Sequence, residues 1–268
     1  MLWILLTIII LFVLYLFLIF PHKPRRDMSA FTGHDYAHRG LWNDQLPENS
    51  MVAFRHAVEN GFGMEMDVHL TKDDQLVVFH DDSLKRMCGV DRPISECTLL
   101  ELKKLRLKDT EEGIPTFDEF LKLVDGKVPL IIELKSDARI EELCRLAYAR
   151  LEKYQGVYCV ESFHPGAVRW FRKNAPQVIR GQLACGLYGT DPKKRTWLDR
   201  CMASLIQNAL GRPDFVAYEH STDRNLPMAL MRLIRPWLVC WTVRSQHDMN
   251  VLRRRYDLQI FEGFIPKR

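Results

Sequence analysis

The stretch Gly63-Met64-Glu65-Met66-Asp67-Val68-His69-Leu70 alternates between two kinds of side chain. Successive residues of a β-strand point to opposite faces, so Glu65, Asp67 and His69 share one face, and the methionines and the valine share the other. Buried carboxylates without partners are costly, so the acidic face needs cations, a metal ion or water. We therefore predict a strand with one apolar face in a core and one acidic face at a polar site.

Strands and helices alternate outward from this stretch to the end of the chain. We predict strands at 35–39, 63–70, 76–80, 129–135, 157–163, 178–185, 215–219, 237–243 and 259–265. We predict helices at 50–60, 118–124, 140–154, 166–174, 197–210, 227–234 and 246–256. Repeated strand–helix units indicate parallel strands with right-handed crossovers. The fold class is therefore α/β, and the chain length suits one TIM (β/α)8 barrel of about 250 residues.

Two parts of this pattern depart from a plain barrel. The nine candidate strands are one more than a barrel needs. The connection from Asp67 to Leu76 is too short for a helix, so those two strands can form a hairpin. Residues 82–114 contain little strand character and one weak helix at 99–105, which indicates a short insertion after the third strand, over one end of the barrel.

The N-terminus is a separate element. Residues 2–20 carry no charge and are almost wholly large and apolar, and as a helix they would span about 28 Å, close to the thickness of a bilayer core. We interpret residues 2–20 as a transmembrane helix, 21–33 as a linker and 34–268 as the barrel domain. A cleaved signal peptide is the alternative, but no basic segment precedes the apolar run and no small-x-small site follows it.

Charge and cysteine content restrict the partners and the compartment. The net charge of +4 does not argue for nucleic acid, and the positive charge is local, with one run at Lys193-Lys194-Arg195. Lys23, Arg25 and Arg26 follow the apolar helix, so the positive-inside rule predicts a single-pass protein of the cell membrane with its domain in the cytoplasm. The seven scattered cysteines form no C-x-x-C pair, which indicates reduced thiols and argues against zinc.

Polar motifs follow several of the predicted strands. Parallel barrels carry their chemistry at the carboxyl ends of the strands, and the polar sets that fall there are His38-Arg39, Glu65-x-Asp67, His80 and Glu133-x-Lys135. Three carboxylates suit one hard cation, Mg²⁺ or Ca²⁺. Each motif alone fits a solvated strand face or a structural histidine. Their joint occurrence at successive strand ends favours a metal and phosphate site.

The order of these motifs resembles the glycerophosphodiester phosphodiesterase family, and the resemblance covers roughly residues 34 to 268. It is carried by His38-Arg39-Gly40, Pro47-Glu48-Asn49-Ser50, Glu65-x-Asp67, Thr71-Lys72-Asp73, His80-Asp81, Glu133-Leu134-Lys135, Ser162-Phe163 and Trp241-Thr242-Val243. The resemblance implies a TIM barrel in which Glu65, Asp67 and Glu133 hold the metal and His38 and His80 form the acid/base pair. By the same resemblance, substrate contacts come from Arg39 and Lys135 at the phosphate, Trp241 at the alcohol or glycerol side and Glu48 in support of Arg39 or the metal.

The implied activity is metal-dependent hydrolysis of glycerophosphodiesters to sn-glycerol 3-phosphate and an alcohol, with attack by the glycerol 2-hydroxyl. One alternative is a lysophospholipase D-type hydrolase acting on membrane lysophospholipids, since the helix places the domain at a membrane. Another is a non-catalytic barrel that binds phosphate ligands, which the presence of both histidines disfavours. The headgroup, the oligomeric state and the histidine that acts as the base stay open.

Overall fold

A computed structural model describes residues 1–135, 138–187 and 196–267, without the side chain of Leu198. The basic run at 193–195 lies outside the described residues. The strands are β1 Tyr36–His38, β2 Gly63–Leu70, β3 Leu76–Val78, β4 Leu130–Leu134, β5 Tyr158–Ser162, β6 Arg180–Ala184, β7 Phe215–Glu219, β8 Trp237–Val243 and β9 Leu258–Phe261. The helices are α1 Leu2–Ile19, α2 Met51–Glu59, α3 Lys85–Cys88, α4 Leu99–Leu102, α5 Phe117–Val124, α6 Ile140–Leu151, α7 Pro165–Asn174, α8 Trp197–Ser204, α9 Asn208–Gly211, α10 Leu226–Ile234 and α11 Gln246–Leu252.

The strands close into a parallel barrel. Their order is β1-β9-β8-β7-β6-β5-β4-β2, and β1 also pairs with β2, which closes the ring. The ninth strand, β3, pairs antiparallel with β2 outside the ring. Both the eight-stranded barrel and the hairpin predicted from the short connection after Asp67 are confirmed.

One end of the barrel interior is polar and the other end is apolar. On three strands, an apolar side chain is followed two residues later by a polar one. Tyr36 precedes His38 on β1, Ile131 precedes Glu133 on β4, and Cys159 precedes Glu161 on β5. The first member of each pair belongs to one apolar cluster inside the barrel. We call the carboxyl ends of the strands the mouth and their amino ends the foot.

The segment before β1 closes the foot. Met28 and Phe31, which fall in the predicted linker, are buried in the same cluster as Tyr36. The Tyr36 hydroxyl donates a hydrogen bond to the Phe31 carbonyl at 2.7 Å. The end of the linker therefore packs as part of the barrel.

The insertion after β3 has a small core of its own. Its apolar side chains cluster with Val77 and Phe79, and these side chains are Leu84, Met87, Ile94, Cys97, Leu102, Leu107 and Ile114. The weak helix predicted at 99–105 is shorter, ending at Leu102. The insertion is thus a packed subdomain beside the mouth.

The helix predicted at 197–210 is broken. Leu205 adopts a left-handed backbone with φ +61°, which ends α8, and α9 starts three residues later. The end of α1 lies against this break. The Tyr15 hydroxyl donates to the Ser204 carbonyl at 3.0 Å, and the Asn208 amide donates to the Ile19 carbonyl at 2.9 Å. The packing of α1 and the turn between α8 and α9 therefore belong together.

Candidate active site

Three carboxylates meet inside the mouth. Glu65 and Asp67 come from β2 and Glu133 from the neighbouring β4, where Asp67 and Glu133 are register partners. One carboxylate oxygen from each of the three lies within 4.8 Å of the others, and all three residues are buried. An all-oxygen donor set of this kind suits a hard divalent cation. The three predicted metal ligands are therefore brought together.

Burial and mutual repulsion disfavour the charged forms of Glu65 and Glu133. Burial raises the pKa of Glu65 well above its usual value, and the charges of Asp67 and Glu133 raise it further. Burial also raises the pKa of Glu133 to about 7, against the effect of Lys135. Repulsion and desolvation of this size are what a bound cation relieves.

Asp67 is the exception within the cluster. Burial alone would raise its pKa, but Lys135, His80 and Arg39 hold that pKa well below the ordinary range. The Asn49 side-chain amide also donates to the Asp67 Oδ2 at 2.8 Å. Asp67 is therefore a carboxylate at neutral pH even without a metal. Asn49 was part of the quoted motif, but its contact with Asp67 was not predicted.

Lys135 and Arg39 face the triad. The Lys135 ammonium lies 2.9 Å from Glu133 Oε1 and 3.2 Å from Asp67 Oδ1. Arg39 donates from Nη1 to Glu48 at 2.7 Å, and its Nε lies 3.7 Å from Asp67. That Nε is buried and has no hydrogen-bond partner among the described residues, so Arg39 keeps one donor for another group.

The backbone after β1 determines the position of Arg39. Arg39 itself has φ +59°, and Gly40 follows with φ +82°. A Cβ at Gly40 would lie 3.0 Å from the Phe54 ring and 3.1 Å from the backbone of Ala53, so α2 approaches too closely for a larger residue. The His-Arg-Gly sequence thus turns the chain sharply at the mouth.

His38 is held by a carboxylate that was not predicted. Its Nδ1 hydrogen-bonds Glu262 Oε2 at 2.5 Å, and Arg244 donates from Nε to the other Glu262 oxygen at 2.8 Å. This leaves the His38 Nε2 on the side of the triad, 3.8 Å from Glu65. Burial lowers the pKa of His38, and the bond to Glu262 opposes that effect. Glu262 lies 224 positions after His38 in the sequence, so no local pattern links the two residues.

His80 is held in the same way by its neighbour. Its Nδ1 hydrogen-bonds Asp81 Oδ1 at 2.6 Å. Arg86, on the first helix of the insertion, donates from Nε to Asp81 at 2.6 Å and from Nη2 to Glu48 at 2.7 Å. Burial lowers the pKa of His80, and the negative charge of Asp67 opposes that effect.

Arg86 was not singled out in the sequence. It links the partner of His80, Asp81, to the partner of Arg39, Glu48. Its position five residues after Asp81, at the start of a helix, is the feature of the sequence that could have predicted the contact with Asp81. Glu48 accepts hydrogen bonds from both Arg39 and Arg86.

Trp241, His69 and Glu161 also lie at the mouth. Trp241 packs edge to face against Phe163, with ring centroids 5.7 Å apart. His69, which shares a face of β2 with Glu65 and Asp67, hydrogen-bonds the His80 carbonyl at 3.2 Å. Glu161, the register partner of Glu133, is a further buried acid that was not predicted, and one of its oxygens has no hydrogen-bond partner in the described part of the chain.

Comparisons with known proteins agree with this geometry. A glycerophosphodiester phosphodiesterase of Bacillus altitudinis is 35% identical over 155 residues, which are 53% of this chain and 63% of that protein. A human lysophospholipase D is 46% identical over 79 residues, or 29% of this chain and 25% of that protein. The chain thus spans less than two thirds of the length of these relatives.

Solved structures share the barrel, and one of them has a bound product. It is a phosphodiesterase of Oleispira antarctica in complex with the product sn-glycerol-3-phosphate, with a TM-score of 0.72 and 22% identity. The likeness covers 87% of this chain and 94% of that one, and it is a likeness of fold. Residues 38–256 match the family described as glycerophosphoryl diester phosphodiesterase. That match covers most of the chain, and the protein therefore belongs to the glycerophosphoryl diester phosphodiesterase family.

Proposed function

We propose that the protein hydrolyses glycerophosphodiesters to sn-glycerol 3-phosphate and an alcohol. The observation that carries this proposal is the pair of histidines whose Nδ1 atoms are each held by a carboxylate, Glu262 for His38 and Asp81 for His80. Asp67, in the carboxylate triad, acts electrostatically on both. This arrangement orients two imidazoles for proton transfer at one reacting centre.

The reaction needs one proton removed and one delivered. One histidine takes the proton of the glycerol 2-hydroxyl through its Nε2 as that oxygen attacks phosphorus. The other histidine gives a proton to the departing alcohol oxygen as its bond to phosphorus breaks. Water then opens the resulting cyclic phosphate with the two roles reversed, which leaves sn-glycerol 3-phosphate. Lowered histidine pKa values make the neutral, base-competent form available near neutrality.

Glu65, Asp67 and Glu133 would hold one divalent cation, Mg²⁺ or Ca²⁺. When bound, such an ion withdraws charge from a phosphate oxygen and aligns the attacking hydroxyl. Arg39 and Lys135 neutralise the phosphate charge beside it. Trp241 bounds the space for the alcohol or glycerol side, with Phe163 against its ring.

We also propose that α1 anchors the domain in the cell membrane as a single span, with the domain in the cytoplasm. The helix has a length and composition that can cross a bilayer, as also holds for a signal sequence. The last turn of α1 packs against the domain, because Ile19 is buried and Arg212 donates to the carbonyls of Phe17 and Phe20 at 2.7 Å each. The basic residues Lys23, Arg25 and Arg26 follow directly.

A second candidate is hydrolysis of lysophospholipids at the membrane. The apolar helix favours it, because an anchored domain stays close to membrane lipids, and one relative is named a lysophospholipase D. The two candidates share one site and differ in the substrate's acyl group.

Hydrolysis assays separate these candidates. The full chain in detergent micelles is incubated with glycerophosphocholine, glycerophosphoethanolamine or lysophosphatidylcholine, with Mg²⁺, Ca²⁺ or chelator. Phosphorus NMR then identifies the products. Formation of sn-glycerol 3-phosphate supports the first proposal, and lysophosphatidic acid formed only from the lysolipid supports the second. Absence of both products with either metal contradicts both.

The topology has a separate test. Ser29, which is exposed, is replaced by cysteine, and intact cells are treated with a membrane-impermeant maleimide, with the parent chain as the control for native cysteines. We expect labelling of Ser29→Cys only after lysis. Labelling in intact cells would place the domain outside.

A further inference from the structure

A second charged site lies at the foot of the barrel, beside the end of α1. A cleft of about 440 Å³ opens there between the start of the linker, the end of α7 and the residues that precede β6 and β7. Its polar lining is almost wholly cationic and consists of His22, Lys23, Arg26, Arg172, Arg180 and Arg212. The proposed catalytic residues lie at the mouth, so this cleft is a different place on the molecule.

The positive charge of the cleft is not neutralised. Asp214 is buried beneath it, with its Oδ1 3.4 Å from both Arg26 Nε and His22 Nδ1. Among the described residues no carboxylate lies within ion-pairing distance of Arg172 or Arg212, which donate to backbone carbonyls instead. Five permanent cations thus face one carboxylate.

The crowding of these cations lowers the pKa of two of them. Burial lowers the pKa of Arg180, and the charges of Arg26 and Arg172 lower it further. Burial and the charge of Arg172 also lower the pKa of Arg212. An anion in the cleft would relieve this repulsion.

One buried donor in the cleft has no hydrogen-bond partner. Arg180 is 2% exposed, and it donates from Nε to the Gly211 carbonyl and from Nη2 to the Arg212 carbonyl, each at 3.1 Å. Within the described part of the chain its Nη1 makes no hydrogen bond, although it lies 3.6 Å from Asp214 Oδ2 as an ion pair. A buried guanidinium with a spare donor is uncommon, because an unmade hydrogen bond costs free energy.

We propose that this cleft binds a phosphate group. Guanidinium forks match phosphate oxygens in shape and charge. The phosphate could be that of an anionic phospholipid headgroup or of a soluble phosphate. The position favours the lipid, because the cleft begins at Pro21 and His22, directly after the apolar helix. Basic groups just beyond a membrane helix attract anionic headgroups.

The test uses the full chain in detergent micelles and counts bound phosphatidylglycerol and phosphatidylcholine by native mass spectrometry. The test variant is Lys23→Gln/Arg172→Gln, which changes two exposed side chains. The control is Arg145→Gln/Arg150→Gln on α6, which removes the same charge elsewhere. In a second arm, isothermal titration calorimetry measures binding of inorganic phosphate.

We expect the parent chain and the control to prefer phosphatidylglycerol over phosphatidylcholine. The test variant should lose about tenfold or more in phosphatidylglycerol affinity. The same loss for inorganic phosphate would identify a soluble phosphate as a further ligand, and loss for the lipid alone would identify the headgroup. Equal binding of both probes by the parent chain and the test variant would overturn the proposal. If the double variant misfolds, Arg172→Glu alone tests the same charge.

Discussion

The mouth and the foot of this barrel are built from the same strands and have opposite chemistry. Residue 131 of β4 is an isoleucine in an apolar cluster, and residue 133 is a glutamate in a carboxylate triad. Buried acids lie at the mouth, whereas the foot contains the apolar cluster that includes Met28 and Phe31 and a cleft lined by arginines. A step of two residues, about 7 Å along a strand, therefore separates the part that stabilises the fold from the part proposed to carry the reaction.

Removal of a mouth carboxylate should have the largest effect. Asp67→Asn removes one negative charge from the triad and replaces the ion pair of Lys135 with Asp67, at 3.2 Å, by a contact with a neutral amide, while the ion pair with Glu133 at 2.9 Å stays. Loss of metal-ion catalysis is worth several kcal/mol, so we expect turnover to fall by about 10³-fold or more. The matched control is Asp118→Asn on α5, whose side chain is 66% exposed. Similar turnover in both variants would place the metal elsewhere.

The two histidines come next. Without an imidazole at either position, His38→Asn and His80→Asn should each lower kcat by about 10²–10⁴-fold, with a small change in KM. The control is His247→Asn, an exposed change on α11. Parent-like kcat in either catalytic variant would remove that histidine from the acid/base pair.

A variant at the foot should lower stability rather than turnover. Phe31 is 3% exposed in the apolar cluster at the foot, so Phe31→Ala should lower the free energy of unfolding by about 3–5 kcal/mol. Turnover of the folded fraction should stay near that of the parent chain, since no mouth residue is touched. Urea unfolding and initial rates at low temperature measure the two quantities. Leu226→Ala, at a 60% exposed site, is the control, with little expected change in stability. Loss of kcat without loss of stability would contradict the separation of the two ends.

The smallest effect should be a shift in the pH profile. Glu262 raises the pKa of His38, so Glu262→Gln should lower it. If His38 is the base, it must be neutral, and the acidic limb of the kcat/KM profile moves to lower pH. If His38 is the acid, it must be protonated, and the alkaline limb moves to lower pH. Asp81→Asn should move the other limb through His80, and unchanged limbs in both variants would show that neither carboxylate tunes a catalytic histidine.

The periodicity of the sequence predicted most of the fold. Alternation at 63–70 predicted β2 and its two faces, and the short connection to Leu76 predicted the hairpin with β3. The break at Leu205 was not predicted, because amphipathic periodicity continues across it while the turn depends on contacts with α1. Propensity describes a segment alone, and packing against a distant segment can override it.

The sequence by itself determined which polar residues end the strands, because strand alternation places Glu65 with Asp67 and Glu133 with Lys135 regardless of distant contacts. Only the tertiary structure decided the partners of those residues. Glu262 lies 224 positions from His38, Arg86 lies 38 from Glu48, and Arg180 lines one cleft with His22 and Lys23, which follow α1. Hydrogen bonds and charges act over a few ångströms in space, and closure of the barrel sets those distances.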